Sequence, residues 1–145
     1  MRKRVVVTGL GAISPLGLNV EETWQGILAG KSGAAPITHF DASDTKTQFA
    51  AEVKGFDADE LFGRREARRM DRYAQFSLAA ALQAVDDANL EITDDNRDRI
   101  GALIGTGIGG VSTLLEQAEL MRKRDPSRVS PFLIPMMLAD TAPGM

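Results

Sequence analysis

Residues 100–110 read Ile-Gly-Ala-Leu-Ile-Gly-Thr-Gly-Ile-Gly-Gly, an apolar run that breaks into glycines and then into a helical pattern. This is a strand–turn–helix junction where the backbone passes very close to something, because glycine lacks a Cβ and tolerates both positive φ and near contact. One use of such a junction is a dinucleotide site. Gly105, Gly107 and Gly110 satisfy G-x-G-x-x-G, in which a tight turn sets a pyrophosphate on the helix N-terminus. That unit also requires a second strand ending in an acidic residue that holds the ribose. Here the helical pattern of residues 111–124 runs into Asp125-Pro126-Ser127 with no strand run after it, and Asp125 lies in a turn. A nucleotide-binding α/β enzyme is therefore a lesser alternative. A glycine turn that packs a helix on a sheet holds under every reading.

The chain has 145 residues, 43% of them hydrophobic, enough for one domain with a core. No apolar run approaches the ~20 residues of a membrane span. Met1-Arg2-Lys3-Arg4 is basic, but Val5-Val6-Val7 before Thr8-Gly9 is too short for a signal-peptide core and suits a first buried strand. The expected location is the cytoplasm, without a membrane partner. There is no cysteine, so thiolate metal sites, disulfides and thiol catalysis are excluded within these residues, and the single His39 sits in a polar loop. No metal or other cofactor is expected.

The formal net charge of −3 says little, but its distribution says more. Residues 86–98 carry six acids against Arg97, the pattern of a solvated face. Residues 64–72 carry five arginines against Glu66 and Asp71, and residues 122–128 four basic groups against Asp125.

Residues 5–9 read as a strand covered on both faces. Asn19 is placed to cap a helix, with Glu22 completing a capping-box pattern, and Val20, Trp24, Ile27 and Leu28 form its apolar stripe up to Gly30. Residues 31–48 read as loop, 49–53 as a short strand and 57–62 as a brief helical turn. Residues 66–89 read as one long helix, with Ala67, Met70, Ala74, Leu78, Ala81 and Val85 on one face. Its other faces turn apolar beyond Ala74, so it is expected to start at the surface and run into the core. A strand over 100–104, the glycine turn and a helix over 111–124 follow, then an apolar segment from Ser130 to Leu138. The order predicts an α/β layer fold with a largely parallel sheet.

Three blocks together carry a resemblance. They are Val5-Val6-Val7-Thr8-Gly9-Leu10-Gly11 with Ser14-Pro15-Leu16-Gly17, then Arg68-Arg69-Met70-Asp71, and finally residues 104–110 with Val129-Ser130-Pro131-Phe132. In this order they resemble the N-terminal part of the β-ketoacyl-[acyl-carrier-protein] synthases, the elongating condensing enzymes of type II fatty-acid synthesis, from Arg4 to Gly144. The resemblance implies an incomplete N-terminal part of a thiolase-like αβαβα layered fold, with residues 1–145 truncated before the nucleophile. It also implies a homodimer in the full-length enzyme and decarboxylative Claisen condensation of an acyl thioester with malonyl-acyl carrier protein. The family's acyl-accepting cysteine, its two histidines and its helping lysine lie beyond the point matched by Met145, so no catalytic residue is carried over.

Supporting parts do fall inside. By the resemblance, Ile108 sits between the catalytic cavity and the acyl tunnel, where Gly107 and Gly109 leave it room to swing as a gate. Phe132, Leu133 and Ile134 reach toward the partner's acyl tunnel. Family members often carry an aromatic at Leu133, and Asp140-Thr141-Ala142-Pro143 departs from their common Asn-Met-Ala-Ala, with Pro143 placed to end a helix early. Arg65, Arg68, Arg69 and Arg72 follow i, i+3, i+4, i+7 spacing, which predicts one helical face opposite Met70, Ala74 and Leu78. The resemblance makes Arg65, Arg68 and Arg69 a docking patch for the acidic acyl carrier protein, with its phosphopantetheine-linked acyl and malonyl groups. Arg128 is a second such contact, and Ser127 replaces a basic residue of some members. No aromatic interleaving accompanies the arginines and the net charge is negative, which argues against nucleic acid. The alternative from another class is a non-catalytic carrier-protein-binding or dimerisation module.

Overall fold

The computed structural model describes residues 3–145; Met1 and Arg2, half of the basic N-terminus, lie outside the described residues. The chain divides into two compact units. One comprises residues up to Phe56 together with Ala79–Leu90, the other Asp57–Leu78 together with Glu91–Met145.

In the first unit, helix α1 spans Val20–Leu28. Asn19 Oδ1 accepts the Glu22 N–H at 2.8 Å, as the sequence predicts. The reciprocal bond is shifted by one residue, since Glu22 Oε2 accepts the N–H of Leu18 rather than that of Asn19. The predicted apolar stripe is corrected. Trp24, Ile27 and Leu28 are exposed, and the buried residue is Gly26, which lies against Leu16. Periodicity identifies an apolar face but does not supply the surface that covers it.

The loop expected over 31–48 contains a strand. β1, Ala34–Pro36, pairs antiparallel with β2, Phe49–Ala51, in the register Ala35↔Ala50. Pro36 is tolerated because the pair has only edges. Thr38 then folds onto Glu52, whose carboxylate accepts its N–H and its hydroxyl, and these bonds lower the Glu52 pKa. His39 lies in the following loop, exposed, as expected.

Residues 5–9 belong to no strand among the described residues; Val5 is 90% and Val7 79% exposed. The next stretch is held by side chains instead. Asp87 accepts the Leu10 N–H, while Gln83 accepts from the Ala12 N–H and donates to the Leu18 carbonyl. Gly11 permits this approach, since a Cβ there would lie 1.9 Å from the Ala80 carbonyl oxygen.

The second unit begins with α2, Ala58–Phe62, capped by Asp57, whose Oδ1 accepts the N–H of Asp59 and of Glu60. The long helix expected over 66–89 is two helices. α3 spans Arg64–Ala67 and α4 spans Arg72–Asp87, with a turn over 68–71. Capping breaks it. The Gln75 amide donates to the carbonyls of Ala67 and Met70, and Asp71 Oδ1 accepts the Tyr73 N–H. The expected burial gradient is also reversed: Ala67, Met70 and Ala74 are buried, whereas Leu82 and Val85 near the end are exposed. Met70 and Ala74 form a core with Ala142, and Phe62, Tyr73, Leu78 and Ile104 pack against it. Helix α5 spans Val111–Lys123 and the short α6 spans Leu133–Met137. Ala142–Gly144 is a single 3-10 turn containing Pro143, beyond the end of α6.

The expected parallel sheet is absent among the described residues, where the antiparallel β1–β2 pair is the only sheet. Residues 100–104, read as a strand, make no ladder, and Leu103 is 99% exposed. An apolar run encodes a segment that wants cover on both faces, while a ladder needs a neighbouring strand. The 145-residue chain by itself is therefore expected to self-associate through residues 5–7 and 100–104. Size-exclusion chromatography with thermal unfolding checks this. Oligomers and a broad transition are expected; a monodisperse monomer with a sharp cooperative melt contradicts it.

Candidate functional site

The second unit gathers three segments that the sequence marks separately. The glycine turn comes first. Gly109 has φ +81° and Gly110 opens α5. The Gly110 N–H donates to the Met137 carbonyl at 3.0 Å, and a Cβ on Gly110 would lie 2.1 Å from the Met136 carbonyl oxygen. Thus the close approach is confined to Gly109 and Gly110 and is to the backbone of α6, whereas a Cβ at Gly105 or Gly107 would meet nothing within 4 Å. Thr106 Oγ1 accepts the Gly109 N–H and tightens the turn. Gly107 and Ile108 stand at its tip, with Ile108 73% exposed.

The second segment is the start of α6. Gln117 on α5 accepts the Ser130 N–H, and Ser130 Oγ accepts the N–H of Phe132. Leu133 and Ile134 follow as the first residues of α6, Leu133 half-buried and Ile134 exposed. The Tyr73 hydroxyl donates to the Leu138 carbonyl beyond the helix end. Burial raises the Tyr73 pKa, so the phenol stays a donor.

The third segment is the arginine stretch, and here the expected single helical face is corrected. Arg65 lies in α3, Arg68 and Arg69 lie in the turn, and Arg72 opens α4. Glu66 stands 3.8 Å from Arg65 and 3.5 Å from Arg69, so it offsets part of their charge. Arg68 and Arg128 are exposed and make no ion pair among the described residues. The Arg72 guanidinium lies 4.6 Å from the Phe76 ring.

Three contacts join these segments in pairs. The Arg69 guanidinium lies over Phe132, 4.7 Å from the ring centroid, a cation–π contact between the arginine turn and the start of α6. Gly110 joins the glycine turn to α6. Asp71 joins the arginine turn to α5: its Oδ2 accepts the Thr113 N–H at 2.9 Å and the Thr113 hydroxyl at 2.6 Å. Sequence reasoning gave Asp71 and Thr113 no role. The usable signal was an aspartate directly before an alanine-rich helix, the N-cap position.

This geometry argues against a nucleotide site. The first turn of α5 holds the Asp71 carboxylate where a phosphate would bind, and the space beside Gly110 is filled by α6. Among the described residues no helix is long and apolar enough to cross a membrane.

Residues 2–145 match the family model of the beta-ketoacyl synthase N-terminal domain. The chain is 52% identical over 144 residues to 3-oxoacyl-[acyl-carrier-protein] synthase 2 of Synechocystis sp., covering 99% of this chain and 35% of that protein. It is 44% identical over 144 residues to the Coxiella burnetii enzyme of the same name, covering 99% of this chain and 35% of that protein. It thus spans about a third of the length of the curated relatives it matches. Among solved structures, the ishigamide ketosynthase/chain length factor superposes with a TM-score of 0.79 at 34% identity, covering 98% of this chain and 36% of that one. A type II polyketide ketosynthase solved in complex with its acyl-carrier protein gives 0.75 at 22% identity, covering 99% of this chain and 37% of that one, a likeness of fold. The thiolase-like fold expected from the sequence is therefore the right frame. The chain belongs to the beta-ketoacyl synthase family, whose N-terminal domain it matches from residue 2 to residue 145.

Proposed function

We propose that this chain is the N-terminal portion of a 3-oxoacyl-[acyl-carrier-protein] synthase of fatty-acid biosynthesis, and that its second unit receives the carrier protein and shapes the acyl pocket. The observation that carries this reading is the contact of Arg69 with Phe132. It brings a residue expected to dock the carrier against a residue expected to reach toward the partner's acyl tunnel. The curated relatives named above support the reaction class.

In the complete enzyme the chemistry divides into two transfers. The acyl group leaves its carrier thiol for a cysteine. Malonyl-carrier protein then loses carbon dioxide, and the electron pair left on carbon attacks the cysteine-bound thioester. A new carbon–carbon bond forms and the thiolate leaves, giving a 3-oxoacyl chain on the carrier. This chain contains no cysteine and a single histidine, so the nucleophile and the histidine pair belong to the remainder of the enzyme.

What these residues contribute is guidance. Arg65, Arg68, Arg69 and Arg128 attract the acidic carrier, mainly raising its association rate and fixing its orientation. Ile108, exposed on a turn anchored through Gly110, gates the acyl tunnel of its own protomer, while Phe132, Leu133 and Ile134 reach toward the partner's tunnel. The full-length enzyme is expected to be a homodimer. The test is Ile108→Phe in the full-length protein, with acyl donors of increasing length. The larger ring should lower the rate ratio of long to short donors at least tenfold, the order a steric misfit of about 1.4 kcal/mol gives. Equal losses across all lengths would contradict a gate.

A further inference from the structure

Asp71 and Thr113 are the buried polar residues among the described ones, 5% and 6% exposed. A buried carboxylate is costly unless several donors meet it. Asp71 has three: the Tyr73 N–H on one oxygen, and the Thr113 N–H and hydroxyl on the other. The positive end of α5 adds to them. One carboxylate therefore fastens the first turns of two helices, from a position next but one to Arg69. The turn bearing Ile108 runs directly into the helix that it holds.

Resting on the proposed function, we propose that Asp71 is a positioning residue. Through Thr113 it locks the start of α5, and with it the Ile108 turn, into the setting that admits an acyl chain. Carrier protein bound at Arg68 and Arg69 then acts on the acyl gate through this carboxylate. Arg69 and Phe132 supply a second link from the same turn, to the start of α6. Neither Asp71 nor Thr113 touches the acyl group in this scheme.

The experiment uses the full-length protein with Thr113→Val, which removes the hydroxyl and keeps the N–H, and Thr113→Ser, which keeps both donors. Asp71→Asn, close in shape but with one acceptor oxygen, is the second variant should Thr113→Val fail to fold. Three quantities are read: the rate ratio of long to short acyl donors, the Kd for acyl carrier protein, and amide hydrogen exchange over 111–114. In Thr113→Val, loss of a bond to a charged group should speed that exchange about ten- to a hundredfold and lower the long-to-short ratio about tenfold. Affinity for the carrier should stay within about twofold, because the docking arginines are intact. Thr113→Ser should restore both quantities. Faster exchange with an unchanged ratio would reduce Asp71 to a structural clamp and overturn the proposal, as would unchanged exchange. A wild type that neither binds carrier nor accepts acyl groups would instead defeat the functional reading. The exchange rates would then still report whether Asp71 clamps α5.

Discussion

The 145-residue chain alone is expected to release no carbon dioxide from malonyl-carrier protein, with or without an acyl donor. The loss should be complete rather than partial. Covalent capture needs a thiol, and the sequence contains none. Decarboxylation needs groups that stabilise the electron pair left on carbon, and His39 sits exposed in a surface loop of the first unit. The second unit offers arginines, a phenol and one buried carboxylate that is fully engaged with Thr113 and Tyr73. Radiometric carbon dioxide release, compared with buffer, is the check. Turnover above background would mean that the chemistry lies within these residues.

Charge reversal of the docking surface should have the next largest effect. In the full-length protein, Arg65→Glu, Arg68→Glu and Arg69→Glu together change the local charge by six units, beside an existing Glu66. Exposed ion pairs contribute about 0.2–1 kcal/mol each, so simple loss of three would weaken binding by up to about two orders of magnitude. Reversal adds repulsion to that loss. Screening acts over about 8–10 Å at ordinary salt, so added salt should weaken the wild type but relieve the repulsion in the triple variant, narrowing the gap between them. Titration of labelled acyl carrier protein at two ionic strengths measures both effects. Unchanged affinity in the triple variant would show that the carrier docks elsewhere. Arg69 also rests on Phe132, so part of its effect should appear in acyl-donor turnover rather than in affinity.

The features that were legible in the sequence are those set by short-range rules. Asn19 caps the helix expected of it, because a side-chain oxygen three residues ahead of a free N–H needs no tertiary partner. Helix α5 starts at the expected residue, since the glycines before it cannot continue the helical pattern. A close backbone approach in the glycine turn was also legible, but not its place or partner: it falls at Gly109 and Gly110 alone, a Cβ at Gly105 or Gly107 would meet nothing, and Met136 and Met137 are distant in sequence.

What failed depended on partners. Apolar runs at 5–9 and 100–104 encode the need for cover, and no neighbouring strand stands beside them among the described residues. The break at 68–71 is invisible to helical periodicity, because it arises from the Gln75 amide and the Asp71 carboxylate satisfying helix ends. That break places the arginines on a turn rather than along one helical face. Asp71 itself looks in sequence like one acid diluting a basic run. Its burial against Thr113, forty-two positions away, makes it the link between the arginine turn and α5.

As proposed, the full-length protein joins an acyl thioester to malonyl-carrier protein with loss of carbon dioxide. Mass spectrometry of the carrier-bound product tests it most directly, using the full-length protein, an acyl donor and malonyl-carrier protein. A 3-oxoacyl chain two carbons longer than the donor is expected, with one carbon dioxide released per product. Decarboxylation yielding only acetyl-carrier protein, or an unextended donor in the presence of a folded, carrier-binding enzyme, would contradict it.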